Sequence, residues 1–391
     1  MSKKKIGLLS VYNHNYGSIL QAYALQNVLQ SLGHSTEIIR YKKTNYIKQA
    51  QRLFYVPLLK ATVKMKCKDL YCKVFQNETY KNVLLTRETA FTEFISENLH
   101  FSDTYRGREK LTEACNKYDC FILGSDQVWN PMNLGGDFYT MTFVPDEIKK
   151  ITYAPSFGVA KIPNNQKKKT ADYLKRIDYI SVREDAGCRI IKQLTGRDVP
   201  MVVDPTILMA KNNWDEMRGD RIVSDDYIFC YFISAIGGYR EFAKTLAKKT
   251  GLKIVTIPHV DEFVKADVGF GDLSLNGIGP KEFVNLISNA TYVCTDSFHG
   301  TVFSTLYQKT FFTFSRYAGD SADSTNSRLY SFLKLIGLGN RLFQDKSELS
   351  ESDLKNIDFE HANVALTDLR EKSMGYLINA LNAVQLINVN S

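Results

Sequence analysis

The chain has 391 residues, 44% of them apolar and 24% charged. That is ordinary globular composition, enough for two or three domains, and it excludes a disordered, collagen-like or disulfide-scaffold protein. The formal charge of +8 is unevenly placed: residues 1–205 hold 31 basic and 20 acidic side chains, and residues 40–81 alone hold 11 and 2.

Taken in chain order, the N-terminal run 6–11 reads as a first β-strand. Its apolar stretch is too short for a signal peptide, and no small-residue cleavage site follows before Asn13. No apolar run approaches the roughly 20 residues that cross a bilayer, so a cytosolic protein is expected. A helix over 18–32 stops at Gly33, and a strand follows at 37–41. The basic stretch 40–81 carries interleaved aromatics (Tyr41, Tyr46, Phe54, Tyr55, Tyr71, Phe75). It reads either as a solvated helical insertion or as a patch resting on an anionic membrane or acidic substrate. No helix-turn-helix, RNA-binding sheet motif or zinc finger supports a nucleic-acid partner. Further strands are expected at 120–123, 151–154, 179–182 and 201–203, then at 227–234, 253–258, 292–294 and 310–314. Helices are expected at 184–194, 239–250, 280–289, 301–307 and 366–386. Short apolar strands alternating with helices imply parallel sheets covered on both faces. The turn Asp204-Pro205-Thr206 separates two such series, so domains are expected at 1–205 and 206–365. Residues 366–391 form a terminal helix that returns to the first domain. The seven cysteines lack the His partners and spacing of a zinc site and read as buried thiols.

Ligands of open α/β sheets bind beyond the carboxyl ends of the strands, beside helix N-termini. The residues following the expected strands are polar and cationic. They are Asn15-Tyr16-Gly17-Ser18, Gly124-Ser125-Asp126-Gln127-Val128-Trp129, Arg183-Glu184-Asp185, Thr295-Asp296-Ser297-Phe298-His299-Gly300 and Ser315-Arg316. Each group also has a purely structural reading. Asn15 and Asp126 can cap helices or turns, His299 can be a satisfied buried histidine, Arg183 can pair with acidic neighbours, and Trp129 can simply pack. Together they suit a phosphorylated anionic donor. No GxGxxG, P-loop or HExxH motif occurs, so neither a standard dinucleotide site nor a metal is expected.

These motifs, joined by Gln21-Ala22-Tyr23-Ala24-Leu25-Gln26, Ser181-Val182-Arg183-Glu184, Val203-Asp204-Pro205 and Asp296-Ser297-Phe298-His299-Gly300-Thr301, resemble the polysaccharide pyruvyl transferase family from about residue 5 to about 340. The resemblance implies two Rossmann-like, doubly wound domains arranged as in GT-B glycosyltransferases, with the active site in the cleft. It also implies phosphoenolpyruvate as donor and a sugar hydroxyl pair as acceptor; no cofactor is expected beside the donor substrate, and the chain does not set a metal requirement. One motif departs from the family, which often reads Arg-Leu-His-Gly where this chain has Ser297-Phe298-His299-Gly300. Arg316 and Arg328 lie downstream as candidate replacement cations.

On this reading His299 is the general acid. Asp126 orients it or takes the sugar proton. Arg183, Arg316 and Arg328 hold the donor, with N–H groups at Gly17, Ser18, Gly300 and Thr301. Asn15, Tyr16 and Trp129 contact the acceptor. A lipid-linked oligosaccharide acceptor would bring the basic stretch 40–81 to the inner membrane face. The competing readings are a GT-B glycosyltransferase using a nucleotide-sugar and an inactive glycan-binding family member.

Overall fold

The computed structural model describes residues 2–43, 78–132, 138–258, 264–316, 327–344 and 347–384. Residues 44–77, which make up most of the basic stretch, lie outside the described residues. The first half forms β1 (Lys5–Leu9), β2 (Ser35–Lys42), β3 (Phe101–Arg106), β4 (Cys120–Leu123) and β5 (Lys149–Thr152), in spatial order β3-β2-β1-β4-β5. The second half forms β6 (Tyr227–Tyr231), β7 (Lys253–Thr256), β8 (Leu273–Ser274), β9 (Tyr292–Thr295), β10 (Thr310–Phe314) and β11 (Leu342–Phe343), in order β11-β10-β9-β6-β7-β8. Every pairing between these strands is parallel. In both sheets the chain runs outward to one edge and then returns to the other side. The order therefore reverses between β1 and β4 and between β6 and β9, and such reversals are where doubly wound sheets place ligands.

The helices are α1 (Tyr16–Ser31), α2 (Glu78–Asn98), α3 (Arg108–Glu113), α4 (Asn164–Lys175), α5 (Asp185–Thr195), α6 (Pro205–Leu208), α7 (Lys211–Arg218), α8 (Gly237–Thr250), α9 (Pro280–Asn289), α10 (Phe298–Leu306), α11 (Ser327–Leu335) and α12 (Glu360–Asn382). Strands β4, β6 and β10 are buried at every position, as their unbroken apolar runs require. The glutamines of α1 are buried because they serve the main chain. Gln26 donates Nε2 to the His100 carbonyl and accepts the His100 N–H, both at 2.9 Å, which docks the start of β3. Gln21 Nε2 donates to Ser10 Oγ and to the Val11 and Ser18 carbonyls, stiffening the turn from β1 into α1.

The strands expected at 179–182 and 201–203 are reduced to isolated bridges, Ile151 with Tyr179 and Val182 with Met201. Hydroxyls intercept the ladder here. Thr152 Oγ1 donates to the Ser181 carbonyl and accepts the Ser181 N–H, while Ser181 Oγ donates to the Thr152 carbonyl and accepts the Ala154 N–H. Helix α10 starts at Phe298 rather than at 301, because Ser297 caps it.

The two halves share one continuous apolar core. Tyr16 of α1 is its main strut: the ring stacks on Phe283 of α9 (centroids 4.4 Å apart, 8° between planes) and the hydroxyl donates to the Ile278 carbonyl at 2.7 Å. Helix α12 returns to the first half. Tyr376 Oη donates to the Thr152 carbonyl, the Val203 N–H donates to Ser373 Oγ, and Arg370 Nε donates to the Ile207 carbonyl. Cys115, Cys120, Cys230 and Cys294 are buried free thiols, and burial pushes Cys115 and Cys120 up to about 12. Among the described residues, no helix is long and apolar enough to cross a membrane.

Candidate functional site

The loops after β1, β4 and β9 converge where both sheet orders reverse. Asp126 after β4, Arg183 and Asp204 after the bridges at Val182 and Met201, Phe298 and His299 after β9, and Arg328 on α11 gather there. Asp126 follows β4 and has a left-handed backbone (φ 80°), rare for a residue with a side chain. Its carboxylate accepts the Ser18 hydroxyl at 2.6 Å and the Gln127 N–H at 2.8 Å. Burial works against its charge, but Arg183, the Ser18 hydroxyl, Arg328 and His299 outweigh burial and hold it below the usual carboxylate range.

Asp204 is the site residue that sequence reasoning left out of its assignments, although the Asp-Pro turn was visible. It caps α6, with Oδ1 accepting the Thr206 N–H and hydroxyl. Its Oδ2 faces three groups: Arg183 Nη1 at 2.5 Å, the Ser125 hydroxyl at 3.0 Å and His299 Nε2 at 3.6 Å. Burial opposes its charge, yet His299 and Arg183 more than offset that and keep it far below the usual range.

Arg183 is buried and spends only Nη1 on Asp204, so its Nε and Nη2 have no hydrogen-bond partner. Burial disfavours its charge, while Asp204, Asp126 and Glu184 more than compensate and raise its pKa. Arg328 of α11 is also buried, and its Nε is unpartnered. Burial first, then repulsion from Arg183, push it down to about 9, which leaves it protonated at neutral pH. His299 lies at the start of α10, its Nε2 beyond hydrogen-bond reach of Asp204 and otherwise unpartnered. Arg183, Arg328, Asp204 and Phe298 line a narrow cavity of about 30 Å³. Arg316 does not line it; half-buried and near enough to repel Arg328, it donates Nε to the Asp296 carbonyl at 2.9 Å. Among the described residues, no His, Cys, Asp and Glu gather as a metal site would need.

Several sequence-derived roles are corrected by this geometry. The Gly17 and Ser18 N–H groups are taken by Asn15 Oδ1, at 3.0 and 3.3 Å, so Asn15 is a helix cap and these N–H groups are not free for an anion. At α10, Ser297 Oγ accepts the Gly300 N–H and the Ser297 carbonyl accepts the Thr301 N–H, with the same result. Gly17 has a different task. A Cβ there would lie 2.1 Å from His299 Nδ1, so glycine lets the histidine of one half rest on the first turn of the other. Gly300 likewise leaves room for Thr295. Tyr16 and Trp129 have no surface to offer an acceptor. Tyr16 is the interdomain strut. Trp129 is fully buried, donating Nε1 to the Tyr139 carbonyl and packing on Phe157 and Tyr173.

The sequence pattern of the family described as Polysaccharide pyruvyl transferase matches residues 15–317, which contain the whole convergence except Arg328. The chain belongs to that family. No match emerges among curated proteins. Among solved structures, UDP-GlcNAc 2-epimerase from Methanocaldococcus jannaschii superposes with a TM-score of 0.51 at 9% identity, covering 99% of this chain and 94% of that one. The same enzyme in complex with UDP-GlcNAc and UDP gives 0.50 at 12% identity, over 97% and 99%. The glycosyltransferase SnogD from Streptomyces nogalater gives 0.43 at 11%, over 98% and 99%. At these identities the likeness speaks to fold alone. This pyruvyl transferase family member has the two-domain α/β fold of that epimerase.

Proposed function

We propose that this transferase takes its pyruvyl group from phosphoenolpyruvate and installs it as a cyclic ketal on two hydroxyls of a sugar in a polysaccharide precursor, releasing phosphate. The observation that carries the reading is the pair of buried guanidiniums, Arg183 and Arg328, with N–H groups that no described residue accepts. Buried cationic donors left idle call for an acceptor, and an anion suits them best. The donor brings two, a carboxylate and a phosphate. Arg316 adds a third cation at the edge.

In this reading His299 Nε2, which the Asp204 carboxylate faces at 3.6 Å, gives a proton to the methylene carbon. A sugar oxygen bonds to the adjacent carbon, its proton passing towards Asp126. The bond from that carbon to the phosphate oxygen then breaks, and phosphate leaves with the electron pair, drawn by the guanidiniums. The second hydroxyl closes the ketal. Of the two hydroxyl protons, one restores His299 and the other departs with phosphate. The cavity has room for about one or two waters, so a donor of this size binds with movement of the walls. A lipid-linked acceptor would draw the basic stretch 40–81 towards an anionic membrane face.

The test is thermal unfolding with and without phosphoenolpyruvate, in the wild type and in Arg183→Ala and Arg328→Ala. At about 100 times its dissociation constant the donor stabilises by about 2.7 kcal/mol. The expected result is a shift in the wild type that both variants lose. Stabilisation by nucleotide-sugars and not by phosphoenolpyruvate would overturn the donor assignment in favour of glycosyl transfer.

A further inference from the structure

Phe298 takes no part in the chemistry above, yet its ring touches both guanidiniums. Arg183 Cζ lies 4.9 Å from the ring centroid and Arg328 Cζ lies 5.7 Å from it. The ring is buried, lines the same cavity as both arginines, and is braced edge-on by Phe332 at 5.8 Å. The arrangement solves a specific problem. Two buried cations repel each other, and something must fix them side by side before an anion arrives. A carboxylate can do this, as Asp204 does for Arg183 Nη1, but it occupies an N–H and cancels charge. An aromatic face attracts a guanidinium through its quadrupole and occupies no N–H at all. The atoms left idle are consistent with that division of labour: Arg183 Nε and Nη2, and Arg328 Nε.

We propose that Phe298 is a positioning residue of the donor site, its ring fixing Arg183 and Arg328 while leaving their N–H edges to a phosphate or carboxylate. The inference rests on the donor reading above. It makes residue 298 a determinant of donor affinity rather than of the chemical step. The neighbouring Ser297 is spent as the cap of α10, so the cationic half of the clamp on this side comes from α11.

The test compares the full-length wild type with Phe298→Leu, which keeps an apolar side chain against Phe332, and Phe298→Tyr, which keeps the ring. Thermal shifts are read with inorganic phosphate and with phosphoenolpyruvate, and donor KM and kcat are measured in parallel. Losing the ring contacts is expected to raise donor KM about tenfold in Phe298→Leu, with kcat little changed. The anion-induced shift should shrink in the same variant, and Phe298→Tyr should behave as wild type. If Phe298→Leu does not fold, Phe298→Met carries the same expectations. A purely packing role would lower the melting temperature of the free protein but leave KM and the anion-induced shift untouched, and that result overturns the proposal. So does a Phe298→Tyr variant as impaired as Phe298→Leu. A wild type that responds to neither anion refutes the donor reading itself, whereas a responsive wild type matched by Phe298→Leu refutes only the role of Phe298.

Discussion

Gly17→Ala replaces a hydrogen with a methyl group at the point where the two halves meet. The new Cβ would lie 2.1 Å from His299 Nδ1 and 2.6 Å from Cε1. An ordinary contact needs about 3.5 Å, so the ring must retreat by more than about 1 Å. It has little freedom to do so, because His299 is buried and Phe298 packs edge-on against it at 5.1 Å. Overpacking of this kind costs about 1–3 kcal/mol, and the better helix propensity of alanine returns at most about 1 kcal/mol. The net loss of stability is therefore modest, about 1–2 kcal/mol. The loss of activity should be much larger, because a misplacement of about 1 Å at a reacting group costs about a hundredfold. The assay is kcat/KM for pyruvyl transfer beside urea unfolding. Gly375→Ala in α12 is the control: nothing lies within 4 Å of its new Cβ, so it should stabilise by about 0.5–1 kcal/mol and leave turnover alone. Gly17→Ala retaining more than about a third of wild-type kcat/KM, with a normal fold, would refute the idea that Gly17 exists to seat His299.

Two further outcomes follow from burial and charge. Asp204→Asn removes the carboxylate that holds Arg183 and faces His299, and breaking a buried pair of this kind should cost about 3–5 kcal/mol at pH 7. Its folded pKa is depressed, so its contribution is fully present above the unfolded value of about 3.9 and is lost as pH falls below it. Urea midpoints for wild type and variant should converge below about pH 4, and a gap that stays constant from pH 7 to pH 3 would show that the carboxylate is not ionised in the fold. Trp129→Ala should destabilise by about 3–5 kcal/mol, because the ring is wholly inside. An acceptor-binding tryptophan would instead raise acceptor KM at unchanged stability.

The parallel sheets were legible because buried strands such as 120–123 and 310–314 are unbroken apolar runs, which period and length identify. Strand β3 was not legible. Its sequence, Phe-Ser-Asp-Thr-Tyr-Arg, is that of an edge strand with polar positions facing out, and it is recruited by Gln26 from 74 residues earlier. The bridges at Tyr179 and Val182 failed as strands for the opposite reason: their apolar runs fit, but Thr152 and Ser181 hydroxyls satisfy the main chain locally. Within the site, His299, Asp126, Arg183 and Arg328 were all named from sequence because their types carry chemistry. What a linear reading could not supply was which donors are already spent. Asn15 and Ser297 sit immediately before glycine-containing helix starts, and whether such a start greets an anion or its own cap depends on one side-chain torsion. Asp204 was passed over because an Asp-Pro turn has a sufficient local explanation. Its second oxygen, aimed at Arg183 and His299, is a tertiary fact.

The spent helix starts change what kind of site this is. With the N–H groups at Gly17, Ser18, Gly300 and Thr301 already bonded, the idle cationic donors among the described residues of the site are those of the Arg183 and Arg328 side chains. The side chains of the site are divided: Asp126, Arg183 and Asp204 belong to the first half, and Phe298, His299 and Arg328 to the second. Neither half alone offers both Arg183 and Arg328, nor His299 together with the carboxylate that faces it. The groups are competent only while Tyr16 stays bonded to Ile278 and stacked on Phe283, and while His299 rests on Gly17. An anion placed between Arg183 and Arg328 also relieves the repulsion that the closed arrangement imposes on them. If the donor binds there as proposed, its binding and the seating of one half on the other draw on the same free energy, and a substitution in either contact is felt in both.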